Sequence, residues 1–219
     1  MYLISKTIKI INSDGIIVFI MKLATYLFYK LFSCEKLIVY EIDLNNYNEN
    51  IKIQMDISYR VATESDIKNL NNFMYDYNKK TKRYSLERIS VGDECVLAIY
   101  NDDVVGYIWI MKAQMELSAA RLIDIPKEKA YIYRGYIRED YRGKRIFNGI
   151  DQYIFNKLKN ENYQYVVTTV SMKNLSSIRT RERIGFKRIG TITQFRFLCM
   201  KYDKVSKEAL NDIYKVNMS

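Results

Sequence analysis

The chain has 219 residues, 48% of them hydrophobic and 27% charged, which suits one globular domain with at most a short appendage and argues against wholesale disorder or a polytopic membrane protein. Histidine is absent, which removes Ser-His-Asp and Cys-His nucleophiles, His-ligated zinc and imidazole bases; carboxylates, phenols, water, backbone groups or a co-substrate remain. The formal charge of +10 points to an anionic partner, and nucleic acid, anionic lipid, a phosphorylated cofactor or plain solubility would each account for it. Cys34, Cys95 and Cys199 are scattered without paired spacing, so neither a disulfide framework nor a metal site is expected, and a reducing cytoplasm fits.

Residues 16–32, "IIVFIMKLATYLFYKLF", are the most apolar stretch. Lys22 and Lys30 interrupt it and it is short for a membrane span. From Met21 onward, Lys22, Thr25, Tyr26, Tyr29, Lys30 and Ser33 recur at helical spacing opposite Leu23, Leu27, Phe28, Leu31 and Phe32. This predicts an amphipathic helix over 21–34 that either lies in a membrane interface or covers the domain's own core. Met1 and Met21 are both candidate translation starts.

Residues 36–44, "KLIVYEIDL", predict a strand, and 45–50 a turn-rich connection. "ISYRVATESDIKNLNNFMYDYNK" predicts a strand and then a helix capped by Thr63 or Ser65, with Ile67, Leu70, Phe73, Met74 and Tyr77 on one face. Two apolar runs joined at Asn101, Asp102 and Asp103 predict a hairpin. A strand over 129–138 leads into a basic turn and a helix burying Ile146, Phe147, Ile150, Tyr153, Ile154 and Leu158. Residues 163–171 form the next strand, Asn174 caps a short helix ending at Gly185, and two extended segments follow. Strands separated by helices, with hairpins at the edges, indicate one mixed α/β sheet.

Three stretches in this order carry a resemblance: "YRVATESDI", the hairpin "IYNDDVVGYIWI" and "YIREDYRGKRIF", followed by "NLSSIRTRERIGF". Together they resemble the GNAT N-acetyltransferase superfamily over about residues 57–201, the third being similar to its acetyl-CoA motif Q/R-x-x-G-x-G/A. The resemblance implies a mixed, mostly antiparallel central sheet flanked by helices in a single α/β domain. On this reading residues 1–35 are an N-terminal amphipathic extension, 36–203 the acetyltransferase-like domain and 204–219 a C-terminal helical tail.

The basic turn has a physical reading of its own, because a helix starting just after a strand offers unbonded amides and a positive dipole end to an anion. Arg142, Gly143, Lys144, Arg145, Ile146 and Phe147 are the candidate residues for the CoA pyrophosphate, with Asn174 a helix cap and second a contact for the cofactor's amide-rich arm. Aligned on Arg142, the family's glycine falls at Arg145 and its Gly/Ala at Phe147. The expectation is that Arg145 sits early in the helix at negative φ, so that its cost is steric, and that the Phe147 ring enters the core or crowds the cofactor.

The resemblance implies acetyl transfer from acetyl-CoA, as co-substrate and without a metal, to an amine, with the Ile137 amide polarising the thioester carbonyl. Many members carry a tyrosine acid where this chain has Arg181, which cannot donate a proton. Tyr131, Tyr133 and Glu139 are the candidate side chains for a base, each with a packing or surface role beside it. Arg179, Arg181, Arg183, Lys187 and Arg188 form a second basic cluster, read either as a solvated helix face or as a contact for the 3′-phosphate or an anionic acceptor. The acceptor expected first is an amino sugar in surface-glycan assembly, in the cytoplasm and at the inner membrane face through residues 21–34. The alternative is a non-catalytic module binding anionic lipid or nucleic acid, the latter disfavoured because no nucleic-acid motif is present.

Overall fold

The computed structural model describes residues 16–18, 20, 21, 32–47, 55–69, 79–118, 121–197 and 200–214. In chain order these include β1 (Phe32–Asp43), β2 (Ser58–Val61), α1 (Glu64–Asn69), α2 (Lys79–Ser90), β3 (Glu94–Tyr100) and β4 (Asp103–Lys112). A small hairpin of β5 (Gln114–Ser118) and β6 (Arg121–Asp124) follows, then β7 (Lys129–Ile137), α3 (Ile146–Asn160), β8 (Tyr165–Ser171) and α4 (Leu175–Ile184). The chain closes with β9 (Lys187–Phe197), β10 (Met200–Val205) and α5 (Lys207–Tyr214).

Eight strands form one sheet in the order β10-β9-β1-β8-β7-β4-β3-β2. Every neighbouring pair is antiparallel except β7 and β8, which are parallel and joined through α3. The mixed, mostly antiparallel sheet expected from the sequence is therefore present. The strand expected at 36–44 runs from Phe32 to Asp43 and lies inside the sheet, bonded to β8 on one edge and β9 on the other.

Strand alternation sends successive side chains to opposite faces, and two cores result. On one face Ile132, Ile108 and Ile110 pack under Ile150, Ile154, Phe155 and Leu158 of α3 and Ile178 and Ile184 of α4. On the other, Tyr131, Tyr133, Trp109 and Met111 meet Ile67 of α1, Met115 and Leu117 of β5, and Ala209 and Ile213 of α5. Burying a side chain of this size contributes about 1.5–3 kcal/mol, so the two layers hold the sheet from both sides.

Local chemistry fixes the element ends. Thr63 Oγ1 accepts from the Asp66 amide (3.3 Å) while Asp66 Oδ2 accepts from the Thr63 amide (2.7 Å), a reciprocal cap that starts α1. The Arg60 guanidinium on the same carboxylate holds Asp66 well below the usual carboxylate range. Asn101 and Asp102 both adopt positive φ (49° and 65°), the conformation of the type I′ turn that matches strand twist in a two-residue hairpin. Asn174 Oδ1 accepts from the Ser177 amide (3.1 Å), and Gly185 (φ 102°) ends α4 with the Phe186 amide returning to Arg181 O (3.0 Å). Buried Lys129 bonds Glu41 of β1 and Asp212 O of α5 (2.7 Å), tying the last helix to the sheet.

Three segments take a secondary structure that the sequence reading did not give them. Residues 79–90 are helical and 114–124 form a hairpin, where no element was expected. Phe32, Ser33 and Cys34, expected at the end of the amphipathic helix, are extended in β1, because β9 supplies hydrogen-bond partners from Phe197 to Phe195. Residues 16–18, 20 and 21 are helical and exposed, and the rest of the amphipathic stretch, residues 22–31, lies outside the described residues, as do Leu70, Phe73, Met74, Tyr77 and Cys199. Among the described residues no helix is long and apolar enough to cross a membrane.

At Gly190 α5 packs close against the sheet. A Cβ there would stand 2.4 Å from Ala209 Cβ and 2.7 Å from the Ala209 amide nitrogen, contacts real side chains do not make. Gly190→Ala is expected to cost about 1–3 kcal/mol through overpacking, read from urea denaturation, with the loss concentrated in the docking of α5.

Candidate active site

The pairing of β7 with β8 runs only from Lys129–Tyr165 to Ile132–Thr168, although both strands continue. Thr168 Oγ1 donates to Ile132 O (2.8 Å) and makes the last tie before they part. The cause lies in β7. Against β4 the register slips so that Arg134 and Gly135 together face Ile108, and Arg134 takes φ 50°. Such a bulge bends and twists its strand, carrying β7 away with β4 while β8 stays with β1.

The opening becomes a cavity of about 700 Å³ that passes through the sheet. Ile108, Ile132, Ile137 and Ile146 line it from the α3 side, and Tyr133 and Thr169 from the other. Its mouth is the basic turn, with Tyr141, Arg142, Gly143, Arg145, Phe147 and Asn148, opposite Asn174, Ser177 and Thr180 on and beside α4. Five arginines (Arg134, Arg142, Arg145, Arg181, Arg183) contribute to its wall and no Asp or Glu does. Among the described residues the charged side chains of the wall are thus all cationic, with Arg134, Arg142 and Arg181 paired to Glu116, Glu139 and Asp151 outside it.

The turn is built to leave amides open. A single 3-10 turn (Glu139–Tyr141) is followed by extended Arg142, then Gly143 at φ 78° and Arg145 at φ 61°. No side chain caps α3, whose first helical bond runs from the Gly149 amide to Arg145 O (3.2 Å). The amides ahead of Gly149 thus face the mouth, where the helix dipole and the left-handed turn favour an anion. Arg145 is therefore not an early helical residue at negative φ, as the sequence reading expected; it is the N-cap in left-handed conformation. The cost of a non-glycine residue there is conformational, about 1–2 kcal/mol, because the chain must reverse from extended Arg142 into the helix within three residues. Gly143 has open space around its absent Cβ, so its φ alone requires glycine.

Phe147 is half-buried: it packs against the core that holds Ile150 and Ile154, as one of the two expectations had it, and it also borders the cavity mouth. Its ring edge lies over Gly135, where a Cβ would come within 2.7 Å of Cε2, and the Arg181 guanidinium stands 4.8 Å from its centroid. A large residue in α3 is matched by a missing side chain in β7. The space is exchanged between the two elements.

Arg181, in the position where the resemblance would place a tyrosine, is 5% exposed. Its Nη1 donates to Asp151 Oδ2 (2.6 Å) and its guanidinium packs against the Phe147 and Phe186 rings. Asp151 is fully buried; burial pushes its carboxyl up while Arg181 opposes the shift. Of the rest of that cluster, Arg183 reaches the cavity wall and Arg188 pairs with Glu182. Asp151 was missed from sequence, although an acid between Ile150 and Ile154 on the apolar stripe of a helix was the available signal.

The remaining expected residues fall as follows. Arg138 donates its amide to Val105 O (3.0 Å), so by antiparallel alternation the Ile137 amide points to the opposite edge of β7, into the gap left by β8. Arg142 braces the turn, Nε to Ile137 O and Nη1 to Glu139 (both 3.2 Å). Glu139 is exposed and outside the cavity wall. Tyr131 shares a hydrogen bond with Thr169 Oγ1 (2.8 Å), and burial pushes its phenol up, so it stays protonated at neutral pH. Tyr133 stacks on Tyr131 and donates to Asp93 Oδ2 (2.6 Å). Behind it Arg88 bonds Asp93 (3.2 Å) and Glu116 meets Arg134 (3.2 Å), a charged cluster that the sequence reading did not find because α2, β5 and β7 assemble it. Among the described residues no group of three His, Cys, Asp or Glu could hold a metal.

An α/β sheet opened between two parallel strands, with a helix amino end at the mouth of the opening, defines a fold for binding an elongated anionic cofactor. The sequence profile of the Acetyltransferase (GNAT) family matches residues 64–186, more than half of the chain, and the chain belongs to that family. Acetyl-CoA is the co-substrate of its members.

Similar solved structures share the fold at low identity. A functionally unknown conserved protein from Staphylococcus epidermidis aligns at 15% identity and TM-score 0.54 over 78% of this chain and 66% of its own. A GNAT acetyltransferase from Colwellia psychrerythraea aligns at 12% and 0.57 over 76% and 57%. The GCN5-related glucosamine N-acetyltransferase region of a fungal multi-domain GH3 beta-N-acetylglucosaminidase aligns at 16% and 0.58 over 81% of this chain and 23% of that one. The chain thus spans less than two thirds of the length of each. No curated protein matches the sequence.

Two outcomes follow. Gly135→Ala is expected to cost about 1–3 kcal/mol, and Gly135→Ala with Phe147→Ala less than the sum of the single changes, a positive coupling measurable by a double-mutant cycle in urea. Arg181→Gln is expected to cost about 3–5 kcal/mol at neutral pH by leaving Asp151 buried without its cation. Because burial raises the folded-state pKa of Asp151 above its unfolded value, that variant's stability is retained at low pH and declines as pH rises past the ordinary aspartate range; adding Asp151→Asn flattens the profile.

Proposed function

We propose that this chain transfers the acetyl group of acetyl-CoA to a primary amine, and that the through-sheet cavity is where it does so. The observation that carries this reading is the pairing of five arginines and no carboxylate with a helix amino end whose amides are uncapped. CoA, with a diphosphate and a 3′-phosphate, matches that charge. Arg145, Gly143, Lys144 and the amides from Ile146 onward would hold the diphosphate, and Arg183 is placed for the second phosphate.

Bound there, the co-substrate supplies an activated acyl group. The residues do the rest by positioning. The Ile137 amide, aimed into the gap, serves as the donor that polarises a carbonyl oxygen at the point of attack. Asn174, already a helix cap, borders the channel of the amide-rich arm. The amine arrives from the face of α2 and β5, where Tyr133 is fixed by Asp93 and Tyr131 by Thr169. Tyr131 and Tyr133 orient the acceptor, and Glu139 acts at most from outside the cavity.

For the acceptor we take an amino sugar of surface-glycan assembly first. The charged cluster of Arg88, Asp93, Glu116 and Arg134 offers donors and acceptors suited to sugar hydroxyls. Exposed helical Ile16, Ile17, Ile20 and Met21 support peripheral contact with the inner face of a membrane.

Melting with and without acetyl-CoA tests the assignment. At about 100 times its dissociation constant the co-substrate adds about 2.7 kcal/mol of stability, seen as a higher melting temperature. A melting temperature unmoved by acetyl-CoA but raised by heparin overturns the enzyme in favour of a polyanion-binding module.

A further inference from the structure

The cavity wall holds five arginines, of which Arg134, Arg142, Arg145 and Arg183 are exposed. Arg181 alone among them is buried, at 5% exposure. Water screens the four at the surface, so their fields weaken over a few ångströms, whereas a buried guanidinium acts at low effective dielectric. Its partner does not form a closed structural pair with it: Asp151 gives Oδ2 to Arg181 Nη1, but its Oδ1 has no hydrogen-bond partner among the described residues. A buried ion pair left half satisfied in a cavity wall contributes little stability over an apolar pair. The guanidinium also packs against the Phe147 and Phe186 rings, 4.8 and 5.0 Å from their centroids, and Phe147 in turn rests over Gly135 beside the strand gap.

Acetyl transfer needs an answer at sulfur. When the amine nitrogen's lone pair forms the new C–N bond, the C–S bond breaks and sulfur departs with the bonding pair, while the proton shed by nitrogen passes to water. Of the phenols that line this cavity, Tyr133 donates to Asp93, the Tyr136 ring lies under the Arg142 guanidinium (5.7 Å) and the Tyr141 ring lies at the mouth under Arg138 and Lys144 (4.9 and 4.7 Å). Resting on the acetyl-CoA reading, we propose that Arg181 is a catalytic residue that receives the leaving sulfur as a thiolate and stabilises it by charge without giving up a proton. A guanidinium is too weak an acid to supply the proton; it offers a fixed positive charge with planar donors instead. Asp151 is the positioning residue that aims it. The coenzyme leaves as the thiolate and takes its proton from solvent.

The test uses coenzyme A itself and requires no acceptor. The ultraviolet absorbance of the thiolate is followed against pH for coenzyme A bound to the wild-type chain, with desulfo-coenzyme A as the blank and calorimetry to establish saturation. The bound thiol is expected to titrate about one unit or more below free coenzyme A, the size of shift a close opposite charge produces. In the Arg181→Gln, Asp151→Asn double variant, which removes both charges and leaves no buried ion, the bound thiol is expected to return to the free value. Arg181→Lys is expected to keep part of the shift. If the wild type binds coenzyme A and the thiol titrates at or above the free value, the role of Arg181 is overturned and the acetyl-CoA reading stands. A folded double variant that keeps the full shift overturns it equally, assigning the effect to the surface arginines. Should neither coenzyme A nor its desulfo analogue bind, the cofactor reading falls and this inference with it. If the double variant does not fold, the wild-type titration and Arg181→Lys decide.

Discussion

One parallel strand pair that stops short governs this molecule. Backbone groups of β7 and β8 satisfy each other as far as Ile132 and Thr168, and beyond that point the bulge at Arg134 and Gly135 pulls β7 toward β4. A sheet opened in its middle would ordinarily leave costly bare amides and carbonyls. Here the opening is kept because both strands have a second neighbour: β4 holds β7, and β1 holds β8 over its whole length. The freed edge then presents main-chain donors, Ile137 among them, to whatever enters. Site and sheet defect are one feature.

The basic turn at the mouth shows how charge and space trade against each other. A phosphate loop made of glycines brings backbone close to its anion at little conformational cost. In this chain two bulky residues stand where small ones would be expected, and each is accommodated differently. Arg145 accepts a left-handed backbone and in return adds a cation at the mouth. Phe147 keeps an ordinary helical backbone, and β7 gives up a side chain at Gly135 to receive its ring. The ring then packs against the Arg181 guanidinium, so a packing exchange sets one neighbour of a buried charge.

Much of this was readable from the sequence. Helical spacing from Ile146 to Leu158, the Asn-Asp turn, the Asn174 cap and the Gly185 stop are local signals, and each element appeared where its residues placed it. The order of those elements carried the family. Long-range pairing left no such mark. Nothing local says that Phe147 meets Gly135, or that Arg181 meets Asp151 across thirty residues. The conformation of Arg145 left no mark in the sequence because an N-cap ordinarily keeps negative φ, as Asn174 does at −91°, whereas Arg145 takes φ 61°. The cluster of Arg88, Asp93, Glu116, Tyr133 and Arg134 draws on four separate segments, so its members looked like unrelated surface charges until the sheet brought them together.

The placement of β1 has a consequence for how the chain reaches this state. Phe32–Asp43 is synthesised well before its two partners, Tyr165–Ser171 and Lys187–Phe197. Until they emerge, the strand that will sit between them has nowhere to go. Topologies dominated by such distant pairings fold slowly and leave edges exposed meanwhile. The segment that carries the family resemblance therefore does not contain all of its own sheet, and a nascent chain must keep β1 in reserve until β8 and β9 have left the ribosome.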